Sequence, residues 1–222
     1  LADRVGNRRM LLIGLVIFTL LTTWSRGRAL MRERMAESTM PMEIFIKSAS
    51  GSAQRVYRTD AFADITVSPI PRWDLIKMSA YDSLSIQYSR GCPYNCDFCN
   101  VTAMLGHRPR TKSADQITAE LDAMYSLGWR RNIFFVDDNF ICNKRQLKEE
   151  ILPALIAWRK GKAGVNFITE ASINLADDPE LMQMMSAAGF ISVFVGIETP
   201  DEASLIECKK SQNTRRDLVE TV

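Results

Sequence analysis

The sequence lacks the features that define several large classes of protein. Lys and Arg exceed Asp and Glu by only two residues and the pI is near 8.3, which falls short of the strongly basic character of a dedicated nucleic-acid binder. Apolar residues make up 46% of the 222 positions and charged residues 24%, which is the composition of an ordinary globular protein. These values argue against wholesale disorder, a collagen-like repeat and a polytopic membrane protein.

Cysteine is also scarce, and its placement is uneven. There are five cysteines, an odd number, in a chain too long to need disulfide staples, which argues against a secreted disulfide scaffold. Three of them, Cys92, Cys96 and Cys99, fall within eight residues. In a reducing compartment such a cluster holds a metal more often than a disulfide. Neither Cys142 nor Cys208 has a metal-like spacing to another thiol, so both are interpreted as bystanders.

An apolar segment lies near the start of the sequence. Met10 to Leu21 predicts a helix within residues 1–24. Twelve helical residues rise about 18 Å, which is short of the ~30 Å hydrocarbon core of a bilayer, so membrane contact fits better than a complete span. Asp3 to Arg9 resembles the loop motif of major facilitator transporters. Because the sequence begins with Leu1, we expect it to be a piece of a longer reading frame.

Residues 25–83 carry few signals of regular structure. Pro69 and Pro71 stand close together, and proline fits neither a helix interior nor a central strand. We therefore interpret residues 25–83 as a linker or the remnant of an upstream domain, and we expect the next domain to begin at Leu84.

After Leu84 short apolar strands alternate with helices. This order predicts parallel strands joined by right-handed crossovers. No glycine-rich phosphate loop follows any strand, which disfavours a dinucleotide-binding open sheet. We expect an α/β fold, a partial TIM-like (β/α) barrel with about four βα units over residues 84–222, preceded by the apolar helix and the linker. The predicted strands are Leu84–Ser89, Asn132–Val136, Val165–Glu170 and Ile191–Ile197.

Capping residues mark the starts of the predicted helices. Ser113 with Gln116 three residues later forms a capping box, and the apolar stripe that follows it runs to Leu127. Thr199 with Glu202 repeats the same pattern before the last helix.

Polar residues gather where the predicted strands end. In a barrel, chemistry collects at these carboxyl ends. An alternative role for the aspartates is to solvate a loop, and an alternative role for the last glutamate is to face a helix N-terminus. The strand-end residues are Cys92 after the first strand, Asp137, Asp138 and Asn139 after the second, Glu170 at the end of the third and Glu198 at the end of the fourth.

The cysteine loop itself has the spacing Cys-x-x-x-Cys-x-x-Cys. A short loop with Gly91 and Pro93 can wrap three sulfurs around one face of a cluster. Because four thiolates would saturate a cubane iron–sulfur cluster, three leave one iron open to a substrate or cofactor. An open iron indicates catalysis rather than storage.

This spacing, with the aromatic Phe98 before the third cysteine, resembles the motif of the radical S-adenosylmethionine (SAM) enzymes. Four further segments resemble the branch of that superfamily that is usually joined to an N-terminal cobalamin-binding domain. The resemblance extends from about Arg55 to Val222. The four segments are Pro71–Asp74, Val136–Phe140, Phe167–Leu175 and Gly196–Glu202.

The resemblance implies a radical SAM barrel and a set of cofactor-binding residues. Cys92, Cys96 and Cys99 would bind three irons of a [4Fe-4S] cluster, and the amino and carboxylate groups of SAM would chelate the fourth. The remaining strand-end residues would bind SAM: Asp137, Asp138 and Asn139 would accept hydrogen bonds from its amino group, Glu170 or Glu198 would hold the ribose, and Phe98 would lie against the adenine.

The same resemblance implies the reaction and the partners. The expected chemistry is reductive cleavage of SAM followed by hydrogen abstraction, leading to methylation or rearrangement of an unknown small-molecule or lipid-like substrate. An electron donor such as flavodoxin or ferredoxin is expected. The chain is expected in the cytoplasm, with membrane contact through residues 1–24.

Two departures from the family pattern qualify this interpretation. His107 is the only histidine and only about eighty residues precede the cluster, so cobalamin is expected only through a missing upstream domain. A complete barrel of the superfamily has about six units, so a chain with four would be incomplete at its C-terminus.

Two other interpretations stay open. Cys92, Cys96, Cys99 and His107 could form a Cys3His structural zinc site, which would make the protein a binding module. Alternatively, a transporter fragment and an enzyme fragment are joined in one reading frame. Metal analysis separates the first alternative from the enzyme, and sequencing of the flanking DNA tests the second.

Overall fold

The computed structural model describes residues 62–217, and the chain divides into two compact units between Pro69 and Ile70. The helix predicted within residues 1–24 and most of the linker predicted over residues 25–83 lie outside the described residues. In the first unit the described part contains a 3-10 turn, Ile65–Val67, in which the carboxylate of Asp64 accepts a hydrogen bond from the Thr66 N–H at 2.9 Å. The domain boundary at Leu84 stays a prediction.

The second unit contains a parallel four-stranded sheet in the order β1-β4-β5-β6. The four strands predicted from the sequence are confirmed, with ends that differ by at most three residues. A second, two-stranded antiparallel sheet pairs β2 with β3 beside the end of β1. The strands are β1 (Ser83–Ile86), β2 (Ser89–Arg90), β3 (Arg110–Thr111), β4 (Asn132–Phe135), β5 (Asn166–Ala171) and β6 (Phe190–Val195).

Helices connect the parallel strands, as a partial βα barrel requires. No helix within residues 62–217 is long and apolar enough to cross a bilayer. The helices are α1 (Val101–Leu105), α2 (Ala114–Ser126), α3 (Lys144–Gln146), α4 (Leu152–Arg159), α5 (Pro179–Ala188) and α6 (Glu202–Glu207), with a π-helical stretch, Leu147–Ile151, between α3 and α4.

The core lies between one face of the sheet and the helices. Alternate residues of the strands point to this face, and a cluster of phenylalanine rings fills it with centroids 5.0 to 5.4 Å apart. The rings belong to Phe135, Phe140, Phe167 and Phe190. The alternate side chains of β5, including that of Glu170, point to the opposite face and are half-buried. The alternate residues of β1 and several residues of β6 are exposed. In a barrel this opposite face is the interior.

The capping predictions had different outcomes. The capping box is confirmed, since the Gln116 N–H donates to Ser113 Oγ at 3.2 Å and the Ser113 N–H donates to Gln116 Oε1 at 3.0 Å. The buried stripe ends earlier than predicted: Leu127 is 48% exposed because α2 stops at Ser126. The capping box predicted at Thr199 is wrong. Asp201 caps α6 instead, accepting from the Ser204 N–H at 2.8 Å.

Pro153 predicts a break in the helix expected over residues 144–160, and the π-helical stretch is that break. Proline has no N–H to donate to the carbonyl of residue 149, and its ring would clash with that carbonyl in a regular α-helix. The chain widens over Leu147–Ile151, where the Leu152 N–H reaches the carbonyl of Leu147, five residues back. Pro153 then occupies the first turn of α4, where no donor is needed.

Candidate active site

The cysteine loop connects β2 to α1 and is anchored by its own backbone. The Cys92 N–H donates to the carbonyl of Gly106 at 3.2 Å, and the Cys99 N–H donates to the carbonyl of Cys96 at 3.0 Å. Gly91 has φ +101°, and a Cβ at this position would lie 2.9 Å from the Gly106 oxygen. The loop therefore requires glycine at its first position, for conformation and for space.

The three thiols of the loop are free and half-buried. Burial raises the pKa of Cys96, whereas a hydrogen bond from the Cys142 thiol holds the pKa of Cys92 below its ordinary value. Cys142 is therefore placed directly beside Cys92, although its spacing in the sequence suggests a bystander. The Cys142 sulfur also lies 3.7 Å from the carbonyl oxygen of Gly91, which is the other acceptor within its reach.

Asp137, at the end of β4, is buried and fixes the entry to the cysteine loop. Its carboxylate accepts hydrogen bonds from the Tyr88 N–H at 3.0 Å, from the hydroxyl of Ser89 at 2.6 Å and from the Ser89 N–H. Burial raises the pKa of Asp137 to about 6. The hydrogen bonds to Tyr88 and Ser89 give Asp137 a positioning role. Its contact with the amino group of SAM stays a prediction.

A chain of amides and hydroxyls links two strand ends to the cysteine loop. Asn139 is buried after β4, where its amide donates to Ser172 Oγ at 3.0 Å and accepts from the Ser172 N–H at 3.1 Å. Ser172, which follows β5, donates to Asn174 Oδ1 at 2.5 Å. The Asn174 amide donates to the hydroxyl of Tyr94, in the cysteine loop, at 3.0 Å. Asn139 thus holds the site together, and its contact with SAM stays a prediction.

Asp138 and Glu170 are the accessible carboxylates at the ends of β4 and β5. Asp138 is exposed, and Glu170 is half-buried on the face of the sheet opposite the core. Burial, and secondly the negative charge of Asp138, raise the pKa of Glu170, so the two carboxylates interact electrostatically. Two neighbouring carboxylates at this edge suit a cationic or hydroxyl-rich ligand.

Glu198 forms the third acidic position, at the end of β6, and it is paired with a lysine that the sequence analysis missed. Its backbone is left-handed, with φ +67°, and its carboxylate forms an ion pair with Lys210. Lys210 is 7% exposed, and its ammonium lies 5.4 Å from the centre of the Phe98 ring. Lys210 therefore connects the end of β6 to the cysteine loop.

The segment that follows α6, Cys208–Asn213, lies against the cysteine loop at further points. The Asp97 N–H donates to the carbonyl of Cys208 at 3.0 Å, and Lys209 forms an ion pair with Asp97 at 2.9 Å. Gln212 Nε2 donates to Cys96 Sγ at 3.6 Å. No spacing in the sequence points to this segment, because its partners lie more than a hundred residues away.

The structure thus brings the predicted site residues to one edge of the sheet around the cysteine loop. The model of the family described as "Radical SAM superfamily" matches residues 86–222, which is more than half of the chain and includes all of these positions. The chain belongs to the radical SAM superfamily. This family uses a [4Fe-4S] cluster and SAM, so the fold and cofactor class implied by the sequence resemblance are confirmed.

Two curated relatives carry names that indicate methyl transfer. The chain is 47% identical over 188 residues, 84% of its length, to a protein of Synechocystis named an uncharacterized methyltransferase. It is 42% identical over 171 residues, 76% of its length, to the hopanoid C-2 methylase of Rhodopseudomonas palustris. These alignments cover 35% and 32% of the relatives, so the radical SAM chain spans about a third of each.

Two other similarities concern the fold of the chain and one 61-residue stretch of its sequence. The structure matches the radical SAM methyltransferase TsrM of Kitasatospora setae, solved with cobalamin and a [4Fe-4S] cluster, with a TM-score of 0.53 and 19% identity over 62% of this chain and 27% of TsrM. A stretch of 61 residues, 28% of the chain, is 59% identical to 9% of a probable potassium transport protein, Kup 1, of Novosphingobium aromaticivorans. The joined reading frame stays a prediction.

The residues of the loop fit a cluster. Three free thiols within one short loop provide the ligands. The Gln212 amide donates a hydrogen bond to Cys96 Sγ and so stabilises negative charge on that sulfur. Within residues 62–217 no three His, Cys, Asp or Glu side chains are grouped closely enough to hold a single metal ion. Zinc would need each sulfur about 2.3 Å from one centre, whereas a cubane spreads its ligands over separate irons. Exposed His107 is the fourth ligand of the zinc alternative, which stays a prediction.

Proposed function

We propose that this radical SAM chain holds a [4Fe-4S] cluster through Cys92, Cys96 and Cys99 and cleaves SAM at the iron that these thiols leave open. When bound and reduced, the cluster would supply one electron for the cleavage of the sulfonium into methionine and a 5′-deoxyadenosyl radical. The observation that carries the proposal is the convergence of the three-cysteine loop with the carboxylates of β4, β5 and β6 at one edge of a parallel sheet.

The strand-end residues have two kinds of role in this proposal. Asp138 and Glu170 accept hydrogen bonds from the amino group and ribose of SAM, because their carboxylates are accessible from the opposite face of the sheet. Phe98, which is 54% exposed, offers its ring to the adenine. Asp137 and Asn139 act mainly by fixing the backbone of the neighbouring loops.

Glu198 and Lys210 control the orientation of Phe98. The ammonium of Lys210 is held by the Glu198 carboxylate and lies near the Phe98 ring, so the ion pair limits where that ring can go. A ring fixed in this way loses less conformational entropy when adenine stacks on it.

The finer proposal is that the radical chemistry serves methyl transfer to a small or lipid-like molecule. The names of the two curated relatives support methylation, and the hopanoid methylase supports a lipid-like acceptor. Cobalamin would act through a domain outside residues 84–222, since His107 is the only histidine in the chain and is exposed. Flavodoxin or ferredoxin would supply the electrons.

Anaerobic reconstitution with iron and sulfide tests the cluster and the cleavage. We expect a brown protein with about four irons per chain that forms 5′-deoxyadenosine from SAM and dithionite, because all three thiols are available to the irons. Cys96→Ala removes one ligand and should abolish both. Cys208→Ala is the matched control: its thiol donates to the Leu205 carbonyl at 3.5 Å, outside the cysteine loop, and its backbone contact with Asp97 survives the change.

Three results would contradict the proposal. A colourless protein with one bound zinc would favour the structural module. Cluster uptake that does not depend on Cys96 would remove the role of the loop. A loaded protein that leaves SAM intact would show that the open iron does not bind it.

Methyl transfer is tested separately with methyl-deuterated SAM. The loaded protein is incubated with a separately prepared, cobalamin-loaded binding domain, dithionite and a bacterial lipid extract, and deuterium in the lipids is measured by mass spectrometry. We expect labelled lipid that depends on Cys96. Formation of 5′-deoxyadenosine without any labelled lipid would overturn the lipid proposal and leave the cleavage proposal standing.

A further inference from the structure

Gln212 makes a contact that neither the family motif nor the spacing of the cysteines assigns. It lies in the 3-10 turn Ser211–Asn213, and its Nε2 is 3.6 Å from Cys96 Sγ, within hydrogen-bond distance for sulfur. The side chain is partly buried. Hydrogen bonds to ligating sulfurs are one of the means by which a protein sets the potential of an iron–sulfur cluster.

The chemistry of the contact fixes which end of the Gln212 amide faces the sulfur. A thiolate bound to iron carries no proton, so it can only accept a hydrogen bond. The amide nitrogen can donate to it, whereas the amide oxygen would repel it. In the described part of the chain Gln212 Oε1 is buried and has no hydrogen-bond partner. The unpaired oxygen is a cost of this orientation, and the hydrogen bond from the nitrogen to the sulfur offsets part of it.

The turn that carries Gln212 is held on both sides. The side chain of Asn213, which is 1% exposed, donates to the carbonyls of Gly196 and Ile197 at 2.9 Å each. Lys210, two residues before Gln212, is paired with Glu198. Because these contacts are rigid and local, the distance from the amide to the sulfur is set by the fold.

We infer that Gln212 is a positioning residue that raises the reduction potential of the cluster by donating a hydrogen bond to Cys96. The inference rests on the proposed function. A reduced cluster carries one more negative charge than an oxidised one, so a donor to its sulfur stabilises the reduced form more. A higher potential makes the cluster easier to reduce by a given electron donor.

The test is an EPR-monitored redox titration of the reconstituted protein. Gln212→Leu keeps the approximate volume and removes the donor. At the midpoint potential of the wild type we expect the ratio of reduced to oxidised cluster to fall about tenfold, which corresponds to ~59 mV for one electron. Gln212→Glu, an acceptor at neutral pH, should lower the ratio at least as far. Ser211→Ala, on the neighbouring exposed residue, is the control and should leave it unchanged.

A second measurement detects the hydrogen bond in the wild type, so it does not depend on whether a variant folds. The wild type is expressed with glutamine labelled with ¹⁵N in its side-chain amide and is then reconstituted with iron and sulfide. Pulsed EPR of the reduced cluster should detect a weak ¹⁵N coupling that is absent from Gln212→Leu expressed in the same way. An unchanged potential in Gln212→Leu, or no ¹⁵N coupling in the wild type, would overturn the inference while the cluster is present. If the wild type takes up no cluster, the proposed function itself has failed.

Discussion

Asp137 offers the sharpest test of how the fold prepares the cysteine loop. Asp137→Ala removes the acceptor of three buried hydrogen bonds, two of them from backbone N–H groups at the entry to the loop. At about 2 kcal/mol for each buried donor left without a partner, the loss is ~6 kcal/mol. Burial of the carboxylate, which raises the pKa of Asp137 from 3.8 to about 6, costs ~3 kcal/mol that the variant recovers at pH 7.

The expected net loss in the free energy of unfolding is therefore about 3 kcal/mol at pH 7.5. Urea unfolding monitored by circular dichroism measures it, and iron content after reconstitution shows whether the loop still binds the cluster. Asp138→Ala, at the adjacent exposed position, is the stability control and should cost less than about 1 kcal/mol. A loss below about 1 kcal/mol in Asp137→Ala, with normal iron content, would refute the positioning role.

Three other predictions follow from named contacts. Gly91→Ala should lower iron content and cost about 2 to 4 kcal/mol, because its Cβ would lie 2.9 Å from the Gly106 oxygen at φ +101°; wild-type loading would contradict this. Because the pKa of Asp137 is raised in the folded state, the stability that Asp137 contributes is complete below pH ~4 and is lost as the pH rises through 6. The loss in the free energy of unfolding caused by Asp137→Ala should therefore be ~1.4 kcal/mol larger at pH 5 than at pH 7.5. An equal loss at the two pH values would exclude the raised pKa. Lys112→Met should cost about 3 to 5 kcal/mol by leaving Glu120 buried without its partner, and adding Glu120→Leu should recover most of it in urea unfolding; no recovery would argue against the pairing.

The contacts of the Cys208–Asn213 segment change how the site is understood. The cysteine loop binds a cluster only if its three sulfurs keep their positions, and a ten-residue loop cannot fix them by itself. Here the loop is held from three directions: by Asp137 at its entry, by Asn174 at Tyr94 and by the segment after α6 at Asp97 and Cys96. Cluster content is therefore expected to respond to residues far from the motif.

The sequence by itself determined the features that depend on neighbouring residues. Short runs rich in Ile, Val and Phe predicted β1, β4, β5 and β6, because β-branched and aromatic residues favour strands. The capping box at Ser113 followed from residues three apart. The spacing from Cys92 to Cys99 predicted a cluster-binding loop within one short stretch. At the last helix local reasoning failed, because Asp201 competed with Thr199 for the cap and a pattern of residue types could not rank them.

Only the tertiary structure decided which distant residues complete the site. Lys210, Gln212 and Cys142 lie beside Phe98, Cys96 and Cys92 because parallel crossovers return every strand end to the same edge of the sheet. Their separations along the chain carry no period that a sequence pattern could detect. Asp137 was found from sequence as a polar residue at a strand end. The structure shows that its carboxylate holds the backbone at Tyr88 and Ser89, where β2 begins, because its burial and these nearby N–H groups exist only in the folded chain.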